Sequence, residues 1–212
     1  MRIAVLGSGI VGQTLSDGLR GLGHHVMRGS RDPSKLAAWA KGAGDRASTG
    51  SFAPAAGFGD LVVLAVKGTA AELVVDQCGA ALANKVVIDT TNPIADAPPD
   101  HGVLRLFTDG VSLIERLQKK VPAAHFVKAF SCVGASVMVK PRLPGGPPTM
   151  FICGDHTPAK AQVTALLTDL GWETEDLGTV EAGRAIEPLC ITWCVPGFLK
   201  NDWVHAFKLL RP

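Results

Sequence analysis

Short continuous apolar runs alternate along this chain with segments whose apolar residues keep helical spacing. Arg2 to Leu6 is an apolar run that stops at glycines, the pattern of a short strand buried on both faces. Ile10, Val11, Leu15, Leu19 and Leu22 then recur at helical intervals, with Gly23 where a helix C-cap belongs. His25 to Gly29 predicts a second strand. After it, Asp32-Pro33 supplies an N-cap and a first-turn proline for a helix running through Leu36, Trp39 and Ala40. The same rhythm predicts a helix over Phe52 to Phe58, a strand over Leu61 to Val66, a helix over Ala70 to Leu82 and a strand over Lys85 to Asp89. Strands separated by helices of this length make parallel crossovers, with helices covering both faces of one sheet.

The second half keeps the rhythm less strictly. Thr91 to His101, rich in proline and aspartate, predicts a loop; Ser112 to Lys120 a helix; Ala124 to Phe130 a strand. Val139 to Thr149 carries Pro141, Pro144, Pro147, Pro148 and Gly145-Gly146, which predicts a flexible, lid-like loop. Thr149 to Cys153, Pro158 to Leu170 and Trp172 to Leu177 predict strand, helix and strand, and Glu181 onward one or two terminal helices. Pro196-Gly197 breaks the most apolar late segment, Leu189 to Leu199, which is too short to cross a bilayer. The chain contains no internal repeat and no low-complexity tract.

Composition narrows the classes of partner. With 212 residues, 47% of them hydrophobic and 19% charged, the chain has material for an ordinary core and for one α/β domain with a short additional lobe. A net charge of +2 without any long like-charge run argues against nucleic acid or an anionic membrane as partner. Five scattered cysteines, Cys78, Cys132, Cys153, Cys190 and Cys194, fit reduced thiols in a cytoplasmic protein. Cys190 and Cys194 share one helix face, but no second pair completes a metal tetrahedron. Met1-Arg2 leads directly into the first apolar run, so no signal peptide is expected.

Gly7-Ser8-Gly9-Ile10-Val11-Gly12 matches G-x-G-x-x-G between a predicted strand and a predicted helix, the context in which the motif cradles a dinucleotide diphosphate. Gly7 permits the tight turn, Gly9 the close approach of the diphosphate, and Gly12 close packing of helix on strand. Free N–H groups and the positive end of the helix face the ligand's charge. NAD-selective versions place an acidic residue roughly 20 residues further on. Here that slot reads Gly29-Ser30-Arg31, and a hydroxyl with a guanidinium suits the 2′-phosphate of NADP(H); Lys35 adds a point charge one turn later. The competing reading makes Asp32 the ribose acid and Arg31 and Lys35 solvated flanking cations, although Asp32 already has work as an N-cap.

Met1 to Lys35, Leu64-Ala65-Val66, Thr91-Asn92-Pro93, Val127-Lys128-Ala129-Phe130, Cys153-Gly154-Asp155, Gly183-Arg184, Glu187-Pro188-Leu189 and Phe207-Lys208-Leu209-Leu210 together resemble the NADP-dependent coenzyme F420 reductase family. Its wider relatives include the cytoplasmic reductase domain of membrane ferric reductases. The resemblance covers nearly the whole chain. It implies an α/β fold with a Rossmann-type, doubly wound, mostly parallel sheet over residues 1–145, and a small C-terminal α/β lobe over 146–212. It further implies a homodimer and a second redox partner, F420 or a flavin, lying against the nicotinamide. By matching position, Ser8, Gly9, Ile10, Val11 and Gly12 would hold the diphosphate, and Ser30, Arg31 and Lys35 the adenosine phosphate. Ala65, Val66 and Lys67 would run beside the cofactor, while Asn92, Pro93, Ala129, Phe130 and Ser131 would line its nicotinamide end. Lys67 and Ser131 depart from the family, where proline and asparagine are common.

Hydride transfer between two flat redox rings depends on proximity and alignment more than on acids and bases. The chain has no tyrosine, which removes the Tyr-Lys pair of one class of carbonyl reductases. His101, His125, His156, Asp89, Lys67 and Lys128 are the remaining candidates for an acid, and none sits in a recognisable constellation; no catalytic residue is named. His24 and His25 are read as bordering a strand, Asp89 as either a site group or a loop-orienting acceptor, and Lys128 as a snorkelling strand residue. Phe130, ending a strand, is the aromatic most suited to the site, whereas Trp193 and Trp203 are read as packing in terminal helices. Three readings follow: a reductase with an F420 or flavin acceptor, a reductase of a small carbonyl or imine, and a non-catalytic NADP sensor.

Overall fold

A computed structural model describes all 212 residues. The first two strands and the helix between them form where the apolar pattern places them: β1 (Arg2–Leu6), α1 (Ile10–Gly21) and β2 (His25–Gly29). A 3-10 turn, Pro33–Leu36, capped by the Asp32 carboxylate on Ser34 N, leads into α2 (Ala37–Ala43). There follow β3 (Ala47–Gly50), α3 (Phe52–Phe58), β4 (Leu61–Leu64), α4 (Gly68–Cys78), β5 (Val86–Asp89), α5 (Leu113–Lys120) and β6 (His125–Lys128). Six parallel strands line up in the order β3-β2-β1-β4-β5-β6, so the chain reverses its direction of travel across the sheet between β1 and β4. In open α/β sheets ligands gather outside such a reversal point, at the carboxyl ends of the strands.

Alternation along β1 divides the core. Ile3 and Val5 face α1 and its Leu15 and Leu19, while Ala4 and Leu6 face Ala55 and Ala56 of α3 and Val74 and Val75 of α4. Both sets are buried, as a parallel sheet covered on two sides requires. Residues beyond 145 add β7 (Thr149–Ile152), α6 (Thr157–Asp169), β8 (Glu173–Asp176) and α7 (Gly183–Lys200), with β7 and β8 paired in parallel. An isolated antiparallel bridge joins Lys128 to Cys153. Met150, Ile152, Val163 and Trp172 enter the same apolar cluster as Ile3 and Val5, so packing continues across residue 145 without a break.

Three expectations are corrected. The edge strand β3 was not predicted: its Ala-Ser-Thr-Gly sequence is short, half-buried and without a period-two pattern, and pairing with β2 alone makes it a strand. The helix α7 runs unbroken through Pro188 and Pro196, where the apolar run was expected to break. Interior proline costs a helix about 3 kcal/mol, and burial of Ile186, Cys190, Trp193 and Cys194 offsets it. The tail after Asn201 is not helical. Its backbone binds the edge of β7, with Thr149 N donating to Phe207 O at 2.9 Å and Leu209 N to Thr149 Oγ1 at 3.0 Å. Trp203 accordingly lies outside any helix and packs tilted against Trp193.

The start of α5 is a capping box: Ser112 N and Oγ both donate to Glu115 Oε2 at 2.7 Å. The Arg184 guanidinium, bonded to the same carboxylate, and then Ser112 hold its pKa down at about 2 against a usual 4.5. A carboxylate with a depressed folded pKa stabilises the fold above its unfolded value, and loses that contribution as pH falls through the folded one. Glu115→Gln keeps the box and removes the charge. Its Tm deficit relative to wild type is expected to be full at neutral pH and to shrink as pH drops from about 4.5 toward 2; thermal melts across that range check it.

Candidate functional site

Register places Gly29, Leu6, Leu64, Asp89 and Lys128 side by side at the carboxyl edge of the sheet. The segments that follow them therefore emerge at one level. Outside the tips of β2, β1 and β4 lies a cleft of about 400 Å³, lined by Gly7, Ser8 and Gly9, by Ser30 and Arg31, and by Ala65, Val66 and Lys67. A larger open depression of about 690 Å³ against α5 is walled mainly by charged side chains, with no residue from the glycine loop.

The loop's geometry explains its glycines. Gly7 has φ +150°, and a Cβ there would fall 2.1 Å from Ala65 O. A Cβ on Gly12 would fall 2.7 Å from Gly7 O, so the helix could not close onto the turn. In front of Gly9 no protein atom lies within 4 Å of a Cβ position. The N–H groups from Ser8 to Gly12 donate to no protein acceptor. Open space faced by free donors at a helix N-terminus is an anion cradle. Ile10 stands 67% exposed beside it, and Val11 turns toward the core.

Ser30 is 4% exposed and accepts a hydrogen bond from Asp32 N at 3.2 Å. Arg31 is exposed and engaged by no protein partner, as is Lys35 on the following turn, although Lys35 does not line the cleft. Asp32 is committed to its cap, accepting from Ser34 N at 3.1 Å and Ser34 Oγ at 2.5 Å. Two hydroxyl and guanidinium donors thus face the cleft where NAD-selective folds present a carboxylate. The far wall was not foreseen: Phe52 from α3, and Thr69, Leu73 and Gln77 from α4. Phe52 opens a helix that the sequence predicts, but its place on the cleft wall depends on how the unpredicted strand β3 sets that helix against the sheet.

Asn92, Pro93, Ala129, Phe130 and Ser131 lie beyond this cleft, past the tips of β5 and β6. Asn92 Nδ2 donates to Ser131 O at 2.8 Å, joining the two segments. Asn92 Oδ1 and Ser131 Oγ are both buried without a hydrogen-bond partner, an expensive arrangement unless a ligand amide or water meets them. Pro93 and Ala129 are buried and contribute wall. The Phe130 ring does not face the site: its backbone takes a left-handed φ of 60°, and the ring packs edge-on against Trp172 at 6.5 Å in the core. Lys67, at the mouth, is paired with Asp96.

Of the proposed acids only Lys67 borders the cleft, where it is exposed and paired with Asp96. His101 is almost fully exposed beside Asp100, and His125 and His156 stack on each other with His125 at the amino end of β6. Lys128 does not snorkel. It is fully buried, with Nζ 2.6 Å from Asp89 Oδ2, 2.8 Å from Glu187 Oε1 and 2.8 Å from Thr91 O. Asp89 in turn accepts from Thr91 N and Oγ1 at 2.9 and 2.7 Å, and Glu187 from Leu113 N and Ile114 N at 2.8 and 3.0 Å. This closed network holds Thr91, the residue before Asn92. No cluster of side chains suited to a metal ion is present, and no helix is long and apolar enough to cross a membrane.

A parallel sheet in this order, with a glycine-loop anion cradle at its reversal point and cationic donors in the acid's slot, defines a dinucleotide-binding protein of the Rossmann class. The free loop donors, the open space before Gly9 and the unmet polar atoms of Asn92 and Ser131 fit NADP(H). The model of the coenzyme F420-dependent NADP oxidoreductases matches residues 2–93. A solved structure from Arthrobacter sp. FB24, given as a candidate F420-dependent NADP-reductase, is 33% identical over 99% of both chains, with a TM-score of 0.91. The chain belongs to this family and is an NADP-dependent oxidoreductase. A hypothetical protein of Sinorhizobium meliloti, SMa0349, is 25% identical over all of this chain and 96% of its own, with a TM-score of 0.70. Metalloreductase STEAP3 of Rattus norvegicus is 28% identical over 205 residues, 93% of this chain; the chain spans 39% of that protein's length.

Proposed function

We propose that the chain carries a hydride between NADP(H) and a planar, cofactor-like acceptor of the F420 or flavin type. One observation carries this reading: the segments meeting at Asn92 and Ser131 offer hydrogen-bonding and apolar wall, while the neighbouring ionisable groups, Lys128, Asp89 and Glu187, are locked in a closed buried network. A pocket of this kind aligns rings, and where Asn92 and Ser131 meet it presents no free acid to a carbonyl or imine; Lys67 lies at the mouth, paired with Asp96. The family description and the name of the Arthrobacter relative support the F420 type.

When bound, NADPH would supply the hydride and solvent water the proton that together reduce the acceptor. The N–H groups of Ser8 to Gly12 would bind the diphosphate, and Ser30 and Arg31 the 2′-phosphate, with Lys35 adding charge from outside. Ala65, Val66 and Lys67 would flank the chain of the cofactor. Asn92 Oδ1 and Ser131 Oγ would orient the carboxamide of the nicotinamide, and Pro93, Ala129 and the Phe130 backbone would close the wall behind it.

NADPH oxidation measured with F420, FMN, a ferric chelate, a quinone and a cyclic imine tests the reading. Turnover is expected with F420 or the flavin. Tight NADPH binding without turnover on any acceptor would replace it with the sensor, and turnover confined to the imine with a carbonyl or imine reductase.

A further inference from the structure

Arg28 is a charged residue in the interior of a parallel strand. It is 1% exposed, its guanidinium lies 5.0 Å above the Trp39 ring, and no carboxylate touches it. Asp17, the acid that acts on it from a distance, is bonded to Trp39 Nε1 at 2.8 Å and to Arg20. One guanidinium nitrogen donates to Gly7 O at 3.3 Å and to Gly9 O at 3.4 Å, and Nε is buried without a partner. A buried cation with so few partners is costly, and arginine does not escape that cost by losing its proton. The charge therefore sits directly behind the glycine loop, offset only by the Trp39 ring face and the distant Asp17 carboxylate until an anion arrives in front.

We infer that Arg28 is a positioning residue for the cofactor's diphosphate, acting through the loop's carbonyls from the side opposite the ligand. The carbonyl of Gly7 shares its peptide unit with the N–H of Ser8, and that of Gly9 with the N–H of Ile10. Both N–H groups are free. A cation on the carbonyl oxygen polarises the peptide and makes its N–H a stronger donor, an effect enlarged in a low-dielectric interior. Arg28 also pins the two carbonyls, fixing the direction of the donors. Its role differs from that of Arg31: Arg28 serves the diphosphate that NADPH and NADH share, whereas Arg31 serves the 2′-phosphate that only NADPH carries.

This inference rests on the dinucleotide assignment and not on the acceptor. Arg28→Met preserves volume and removes charge and hydrogen bonds, and Arg28→Gln keeps a donor without the charge. Affinities for ADP, 2′-AMP, NADPH and NADH are measured by calorimetry for both variants and wild type. ADP, NADPH and NADH are expected to weaken by a similar factor, roughly tenfold, while 2′-AMP, which lacks the diphosphate, changes less than about twofold. Should Arg28→Met not fold, Arg28→Gln carries the same comparison. ADP affinity equal to wild type, or an equal loss for ADP and 2′-AMP, would overturn the inference. Failure of wild type to bind ADP and NADPH would instead overturn the dinucleotide assignment.

Discussion

Replacing Lys128 by methionine is expected to destabilise the protein by about 3–5 kcal/mol, read as a lower urea midpoint at unchanged slope. Burial pulls the Lys128 ammonium's pKa down, but Asp89 and Glu187 outweigh it and hold the group above the usual lysine value. Removing it leaves two carboxylates, 0% and 1% exposed, facing each other without a cation. Typical domains have only about 5–15 kcal/mol in total, so the loss is a large fraction of stability. The opposite change separates pairing from packing. Glu187→Gln turns one ammonium with two carboxylates into a balanced pair and keeps an oxygen to accept from Leu113 or Ile114 N. Its cost is expected near 1–2 kcal/mol. Equal losses for the two variants would contradict the role of Lys128 as the cation that balances two carboxylates.

Ser30→Asp combined with Arg31→Ala is expected to abolish selectivity for NADPH. The double change removes a hydroxyl and a guanidinium and puts a carboxylate where the 2′-phosphate would sit. Losing charge-assisted hydrogen bonds and adding like-charge repulsion amounts to about 3 kcal/mol or more, roughly a hundredfold in Kd for NADPH. NADH, whose ribose hydroxyls donate to a carboxylate, is expected to bind as well as before or better. Titrating both cofactors into both proteins measures the ratio, and a tenfold preference for NADPH that survives would sink the phosphate assignment.

Much of the site's adenosine half was legible in the sequence because it is local. The glycine loop, the residue pair Ser30-Arg31 and the cap at Asp32 lie within one strand–helix–strand unit whose boundaries follow from an apolar run, glycines and a helical period. The helix that Phe52 opens was legible, but its position at the cleft was not, because that helix hangs from a strand that exists only by pairing with β2. At the nicotinamide end the reading named Asn92 and Ser131 by resemblance. Their hydrogen bond spans 39 positions, and no local signal reports it. The Phe130 ring was misplaced for a backbone reason: a left-handed φ at the end of β6 turns it into the core, and nothing in Ala-Phe-Ser announces that conformation.

The sequence by itself determined most of the order of strands and helices in the first half and the glycine loop with its neighbouring Ser30-Arg31 pair, since these depend on periodicity, backbone freedom and turn residues close together in the chain. The tertiary structure alone decided the fate of the charges and of the tail. Lys128 reads as snorkelling until packing encloses it, Pro196 reads as a break until burial holds α7 together, and residues after Asn201 read as helix until the open edge of β7 takes their backbone; Arg28, inside a predicted strand, carries no sign of the burial it meets. Desolvation, pairing of buried charge and the satisfaction of a sheet edge all depend on groups distant in the sequence, so no stretch of it records them.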